Sequence, residues 1–344
     1  MRVARLAGRR RLEIADVDPP PLVPGSVLVA IDRCGIGGTD VEAWLVGHVP
    51  APAWFGHEWV GRIVAIGPGI EGRFEGERVV GATAPPCGAC PPCRAGHGGA
   101  CTTAVAMIVG SDPLASPHGA FADMVRVDAR RVHRAPEGID DDEAALAEPV
   151  AVAVHAVARS GQLLGDVVAV VGAGTIGVLV AQVARAAGAS RVVAIDPAPA
   201  RQELVCSFGA DAAFGPGPDV GRWLADHDDG LGADVVYECA GRPDAVTAAV
   251  GAARRGGTVV LVGGATTAGA ISPADLVAAE LTIRASLGYT IADVHRALAL
   301  LADERIRVAG LCDRIVGFGG LRLALDELAS DPVAPRKVLF APRA

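Results

Sequence analysis

Four cysteines, Cys87, Cys90, Cys93 and Cys101, follow one another as C-x2-C-x2-C-x7-C, with the proline pairs Pro85-Pro86 and Pro91-Pro92 set among them. Four thiolates at that spacing can wrap one tetrahedral Zn²⁺, and the prolines lower the entropy lost on closing the loop. Sulfur then fills every coordination position, so such a site is structural and leaves no place for water or substrate. The longer ligand intervals of ferredoxins are missing, which disfavours an iron–sulfur cluster. Cys34, Cys206, Cys239 and Cys312 are scattered and read as small hydrophobes.

A second constellation occupies 166–196, DVVAVVGAGTIGVLVAQVARAAGASRVVAID. The run at 167–171 is mostly β-branched, as a strand buried on both faces requires. Gly172, Gly174 and Gly177 then form G-x-G-x-x-G, with Thr175 and Ile176 inside it. Apolar Ile176, Leu179, Val180, Val183, Ala184 and Ala187 keep helical spacing up to Gly188, which ends the helix. The first glycine permits the turn, the second admits a pyrophosphate, and the third lets helix and strand pack closely. The helix N-terminus offers free N–H groups to the phosphates. Asp196 ends a second strand at 191–195, 19 residues past Gly177 (196 − 177), where it can accept from an adenosine ribose diol. Arg201 joins this cofactor-binding set. The Asp196 carboxylate would repel a 2′-phosphate, and only Pro197 and Ala198 follow it directly, so NAD is expected over NADP. The stretch 167–184 carries no charge and is long enough to suggest a membrane span, but three glycines at a turn and Gln182 argue against that.

Elements of both kinds must position these residues. The chain has 344 residues, enough for two domains, and its 51% hydrophobic and 20% charged content is that of a globular protein. Net charge is 31 − 39 = −8, which argues against an electrostatic nucleic-acid or anionic-membrane surface. The first ten residues lack an apolar run, so no signal peptide is expected, and the cysteine usage suits a reduced, cytoplasmic setting. Residues up to about 146 read as β-rich, with strands at 26–33, 59–66, 78–81 and 121–127; prolines at 19, 20, 21 and 24 exclude helix there. Helices at 141–147 and 149–160 lead into a strand–helix alternation. Its further strands are expected at 212–214, 234–239, 258–262 and 281–285, and its helices at 200–208, 242–253 and 273–279. That makes six strands in a doubly wound parallel sheet, an α/β fold. Helices at 291–301 and 321–328 and a closing strand at 337–340 return to the first domain. The expected boundaries are 1–147 with 286–344, including the cysteine lobe at 87–101, and 148–285 for the dinucleotide-binding domain.

Several motifs resemble the medium-chain dehydrogenase/reductase superfamily, in its zinc-containing alcohol and polyol dehydrogenase branch, of the sorbitol and threonine dehydrogenase type. Cys34-Gly35-Ile36-Gly37-Gly38-Thr39-Asp40 is similar to that family's C-G-I-C-G-T-D, and Gly56-His57-Glu58-Trp59-Val60-Gly61 to its zinc signature G-H-E-x-x-G. Glu148-Pro149 resembles the E-P stretch of sorbitol and threonine dehydrogenase-like members. The resemblance implies a GroES-like β-rich catalytic domain joined to a Rossmann domain, with catalysis in the cleft between them and a homodimer or homotetramer as the assembly. It implies an NAD-dependent oxidoreductase passing a hydride between NAD(H) and a secondary alcohol or ketone of a polyol, sugar or cyclitol. Thr39, His57, Glu58 and Glu148 are its expected catalytic residues.

Two departures matter. The family's catalytic-zinc cysteine stands immediately before G-T-D, where this chain has Gly37. Cys34, three residues upstream, corresponds to the motif's other cysteine and would point elsewhere. The family often carries histidine three residues after the Thr/Ser; here it is Glu42, which reads better as a solvated acid at a helix start. Two chemistries follow. In one, His57, Glu58 and Glu148 hold zinc without a thiolate, and the metal acidifies the alcohol. In the other, His57 is the general acid/base, oriented by Glu148 or Glu58, and Thr39 donates to the substrate oxygen. A dinucleotide-binding homologue that kept its fold and lost its chemistry is a third reading.

The assignment of Asp196 predicts that Asp196→Gly weakens NAD binding and relaxes discrimination against NADP. Paired titrations check it. Tenfold tighter NADP than NAD in the unaltered protein, about 1.4 kcal/mol, would overturn the ribose assignment.

Overall fold

Val167–Val171 is buried at every position, and it sits inside a six-stranded sheet whose pairs are all parallel. The spatial order is Ala212–Phe214, Arg191–Ile195, Val167–Val171, Ala233–Glu238, Ala253–Leu261, Thr282–Ala285. From Val167–Val171 the chain builds outward on one side and then, with Ala233–Glu238, on the other. The carboxyl ends of these two neighbours form the topological switch point at which such sheets bind ligands. The expected doubly wound α/β sheet is present, with all six strands in place and ends shifted by a few residues. Ala253–Leu261 starts five residues earlier than the apolar run suggests (258 − 253), because Arg254, Arg255 and two glycines hide an exposed strand start.

The structure, a computed structural model, describes residues 1–48, 52–108, 112–227, 231–264, 267, 271–330 and 337–344, which divide into two units. The unit just described comprises Pro149–Tyr289 and Glu304–Arg307. Its helix Thr175–Ala186 starts at Gly174 and buries Val178, Leu179, Val180 and Val183. That helix has 12 residues, and among the described residues no helix is long and apolar enough to cross a membrane. Gly188 follows the last helical turn at φ +108 and donates its N–H to Arg185 O, the left-handed exit its sequence position suggests. One helix, Pro218–His227, is not expected from sequence. Its flanking glycines read as loop, yet Val220, Trp223 and Leu224 share one face and pack on the sheet.

The other unit comprises Met1–Glu148, Thr290–Asp303 and Val308–Ala344. Its main sheet runs Arg314–Val316, Val338–Phe340, Ser26–Gly35, Glu58–Ile66, Arg78–Gly81, Val132–Arg134, with Met124–Asp128 also paired to Ser26–Gly35. Phe55, Phe121, Phe340 and Phe318 form an edge-to-face series through its core, at centroid distances of 4.9, 5.7 and 4.9 Å. A hairpin, Arg2–Gly8 with Arg11–Asp16, escapes sequence reading because arginines interrupt the apolar alternation of its strands. Ser26–Gly35 is central to this sheet. Cys34 and Gly35 pair with Trp59 and Glu58 on one side and with Phe340 and Leu339 on the other.

The Gly-rich turn yields a stability prediction. A Cβ at position 177 would lie 1.8 Å from Gly172 O, a backbone atom that cannot swing away. Gly177→Ala is expected to cost about 1–3 kcal/mol and to weaken NAD binding. Thermal melting with and without NAD checks it, and an unchanged midpoint and affinity would contradict the packing.

Candidate active site

His57 lies just before the strand Glu58–Ile66, and its ring is held from behind. Nδ1 stands 3.3 Å from Trp54 O and 3.9 Å from Asp40 Oδ1. Both neighbours only accept, so the neutral ring keeps its proton on Nδ1 and leaves Nε2 as the basic nitrogen. Nε2 faces the Thr39 hydroxyl at 3.5 Å. Thr39 and Asp40 come from the first turn of helix Gly38–Val46. The Asp40 carboxylate is fully buried and accepts from Gly37 N–H and Gly56 N–H, both at 2.8 Å. One side chain therefore caps the helix and braces the segment that carries His57.

Burial opposes the imidazolium, yet the carboxylates of Asp40, Glu148 and Glu58 more than offset it, and the His57 pKa is raised. Desolvation in turn raises that of Asp40, partly countered by His57 and the two N–H donors. Such a histidine can take a proton from an alcohol and hold it as a stabilised cation.

Ligand atoms of His57, Glu58 and Glu148 lie within 4.8 Å of one another, so the three expected residues do converge, as a metal site would require. Whether the donor set suits a resident metal turns on Glu58. Lys337 Nζ is 2.7 Å from Glu58 Oε1 and 2.5 Å from Oε2, the second contact being ionic and off the hydrogen-bonding angle. Both side chains are 5% exposed. A divalent ion on either oxygen would sit close to that ammonium. With Glu58 engaged, His57 and Glu148 remain, fewer than the three protein ligands of catalytic zinc sites. Position 37 adds none. A Cβ built there would meet Glu58 Oε1 at 2.8 Å and His57 Cε1 at 3.2 Å, so the carboxylate lies against this glycine. Cys34 is buried, with its Sγ 3.6 Å from Gly35 O, and is absent from the cluster; Glu42 is exposed.

The four cysteine sulfurs of the lobe also lie within 4.8 Å of one another, a cage that fits zinc. Backbone N–H groups of Cys87 and Ala104 point at Cys101 Sγ, and that of Cys90 at Cys87 Sγ, at 3.3–3.4 Å. The Cys87 pKa falls to about 6, chiefly through Thr103 and the N–H groups of Ala89 and Cys90.

In the parallel-sheet unit, Gly172 takes φ +94 against Ala240, and Gly174, the N-cap of helix Thr175–Ala186, has open space beside its α-carbon. A dinucleotide fits this cradle. Asp196 is 3% exposed, with Oδ2 accepting from Ala173 N–H at 2.8 Å and Oδ1 from Ala198 N–H at 2.9 Å. Each oxygen keeps lone-pair capacity for a ribose, and the carboxylate also pins the Gly-rich turn, a role sequence reading missed. Arg201 Nη1 stands 3.8 Å from Asp196 Oδ2.

Asp40 and Lys337 were the other omissions. An acid two residues into a helix signals a cap, which identifies Asp40 in retrospect. Lys337 carries a sharper signal, since it is the sole lysine among 31 basic residues. For the cysteine lobe, Cys93→Ser is expected to lower both the zinc content and the thermal midpoint. Were both unchanged, the lobe would not bind zinc.

Known proteins resemble this chain over most of its length. Residues 23–137 match the family described as alcohol dehydrogenase GroES-like domain, and residues 175–303 that described as zinc-binding dehydrogenase. L-threonine 3-dehydrogenase of Streptomyces avermitilis is 32% identical over 330 residues, covering 93% of each chain. (R,R)-butanediol dehydrogenase of Bacillus subtilis is 30% identical, covering 93% of this chain and 96% of its own. A crystallised zinc-binding dehydrogenase from Sinorhizobium meliloti, bound to NADP, superposes with a TM-score of 0.86 at 30% identity, covering 99% of both chains. With a GroES-like unit, a parallel dinucleotide-type sheet and a four-cysteine cage beside these relatives, the chain belongs to the zinc-type alcohol dehydrogenases of the medium-chain dehydrogenase/reductase superfamily, as an oxidoreductase.

Proposed function

We propose that this protein transfers a hydride between NAD(H) and a secondary alcohol or its ketone, with His57 as the acid/base in a site without catalytic zinc. The observation carrying the proposal is the orientation of His57, Nδ1 toward two acceptors and Nε2 toward Thr39, beside a Glu58 already paired to Lys337. NAD, cradled by Gly172, Gly174, Thr175, Ile176, Gly177, Asp196 and Arg201, supplies the hydride acceptor or donor when bound.

In the oxidative direction the substrate hydroxyl donates to Thr39 Oγ1, whose own proton passes to His57 Nε2. The 3.5 Å gap between them tightens on substrate binding. Proton loss builds alkoxide character that drives hydride release from the carbinol carbon. Asp40 and Glu148 stabilise the resulting imidazolium, and in reduction the same groups return the proton to the ketone oxygen. The threonine and butanediol relatives are named for substrates bearing an amine or a second hydroxyl beside the carbinol. Glu148, a carboxylate at the site, suits a vicinal hydroxyl in the same way, which favours a polyol, sugar or cyclitol.

The assembly proposed is a homo-oligomer in the cytoplasm. Thr282–Ala285 is an edge strand with all four residues exposed, near exposed Val277 and Leu287, and an unprotected edge of this kind invites a second copy.

Steady-state kinetics with NAD and a polyol panel test the chemistry. For oxidation, kcat/KM should rise with pH through an apparent pKa above 6.5, the ordinary histidine value, because the neutral ring is the base; for reduction it should fall over the same range. His57→Ala should lose roughly 10²–10⁴-fold. Activity removed by a chelator and restored by zinc would contradict the proposal.

A further inference from the structure

We infer that Glu238 sets the preference of the cofactor site for oxidised over reduced NAD, by placing a negative charge behind the part of the cradle that takes the cationic ring. The inference rests on NAD occupying the Gly-rich cradle and names a residue that the proposed chemistry leaves unused.

Three turns meet at the carboxyl ends of neighbouring strands. One is the Gly-rich turn after Val167–Val171, one follows Ala233–Glu238, and one follows Ala253–Leu261. A Cβ at position 172 would lie 2.8 Å from Ala240 N, and one at position 263 only 2.2 Å from Gly241 N. The middle turn is thus in close contact on both sides. Glu238 stands at its start. Its backbone carbonyl accepts from Val262 N–H and Gly263 N–H, both at 2.9 Å. Its Oε1 accepts from Ala240 N–H and Gly241 N–H, both at 2.8 Å.

The other oxygen, Oε2, is buried and has no hydrogen-bond partner among the described residues. It lies on the side of Gly263, where a Cβ would stand 2.8 Å away. Glu238 is 0% exposed, and among the described residues it forms no salt bridge. The charged groups nearby do not neutralise it. Asp244, at the start of helix Pro243–Ala252, adds a like charge and is itself paired with Arg242 on the surface. Asp196, on the far side of the Gly-rich turn, is a further acid. Burial, helped by Glu238, pushes the Cys239 thiol up, so it stays neutral. Burial also raises the Glu238 pKa above its ordinary 4.5, by more than the N–H groups of Gly241, Ala240 and Arg242 lower it.

A buried carboxylate with one oxygen unanswered favours a cation placed near it. In folds of this kind the dinucleotide lies across the switch point, with one mononucleotide on each half of the sheet. With the adenosine ribose at Asp196, the nicotinamide half lies over the ends of Ala233–Glu238 and Ala253–Leu261, the strands whose turns Glu238 joins. NAD⁺ brings a positive ring there and NADH a neutral one, so the charge of Glu238 favours the oxidised form.

Direct titration of the full-length protein with NAD⁺ and with NADH tests this. Above the Glu238 pKa, Glu238→Gln should weaken NAD⁺ roughly 3–10-fold and leave NADH within about twofold. The glutamine keeps an acceptor for both N–H groups, so unchanged NADH binding reports an intact cradle. The gap between the two proteins should close as pH falls through the Glu238 pKa, because the unaltered carboxylate then takes up a proton. Equal weakening of both forms, as a merely structural role would give, or no change in either, would overturn the inference. Failure of the unaltered protein to bind either form would instead refute the cofactor reading. Should the glutamine variant be insoluble, the His57→Ala protein, whose acid/base no longer titrates, decides. Its preference for NAD⁺ over NADH should still fall as pH falls, and a flat ratio would overturn the inference.

Discussion

The buried pair between Lys337 and Glu58 is the constraint on which the active-site arrangement depends. Removing one partner of such a pair leaves an uncompensated charge and typically costs about 3–5 kcal/mol, whereas the intact pair adds little net stability. Its presence is therefore better explained by what it organises. The carboxylate lies against Gly35 and Gly37, where an added Cβ would approach its oxygens to 2.2 and 2.8 Å, and the ammonium balances one of the acids around His57. Gly37, which looks like a lost ligand in sequence, lies in the structure beside Glu58 Oε1 and the His57 ring.

His57 depends on a second buried acid. Asp40 spends its hydrogen-bonding capacity on two backbone N–H groups and stands close to Nδ1, so the helix start and the histidine segment are fastened by one carboxylate. Orientation and basicity then share a cause: the groups that turn Nε2 toward Thr39 also raise the His57 pKa against the effect of burial. Asp196 plays a comparable part in the other unit, tying the Gly-rich turn to the end of Arg191–Ile195 through Ala173 N–H. In both places a buried acid holds a loop in position, and the chemistry is done by the groups that loop carries.

Local pattern made much of this legible in advance. The run from Val167 to Asp196 announces strand, turn, helix and strand because both periodicities and the glycine positions agree over consecutive residues. The cysteine cage is equally local. What stayed hidden depends on long-range pairing: Lys337 meets Glu58 only because two strands distant in sequence flank Gly35. The hairpin Arg2–Gly8 with Arg11–Asp16 and the helix Pro218–His227 were obscured by arginines and glycines, although their apolar faces pack well enough to override local propensity. His57, Glu58 and Glu148 could be named from motifs, but whether Glu58 serves a metal or an ammonium is a question of what stands opposite it, and a motif does not contain that.

The central claim is the proposed acid/base role of His57 in a site where Lys337 balances the Glu58 carboxylate and no metal bridges His57 and Glu148. Anomalous diffraction across the zinc absorption edge, on crystals grown with NAD and ample zinc, tests it most directly. The account predicts a single anomalous peak per chain, within the cage of Cys87, Cys90, Cys93 and Cys101, and none between His57 and Glu148. A second, fully occupied peak there, with the Glu58 carboxylate turned from Lys337 toward it, would contradict the account.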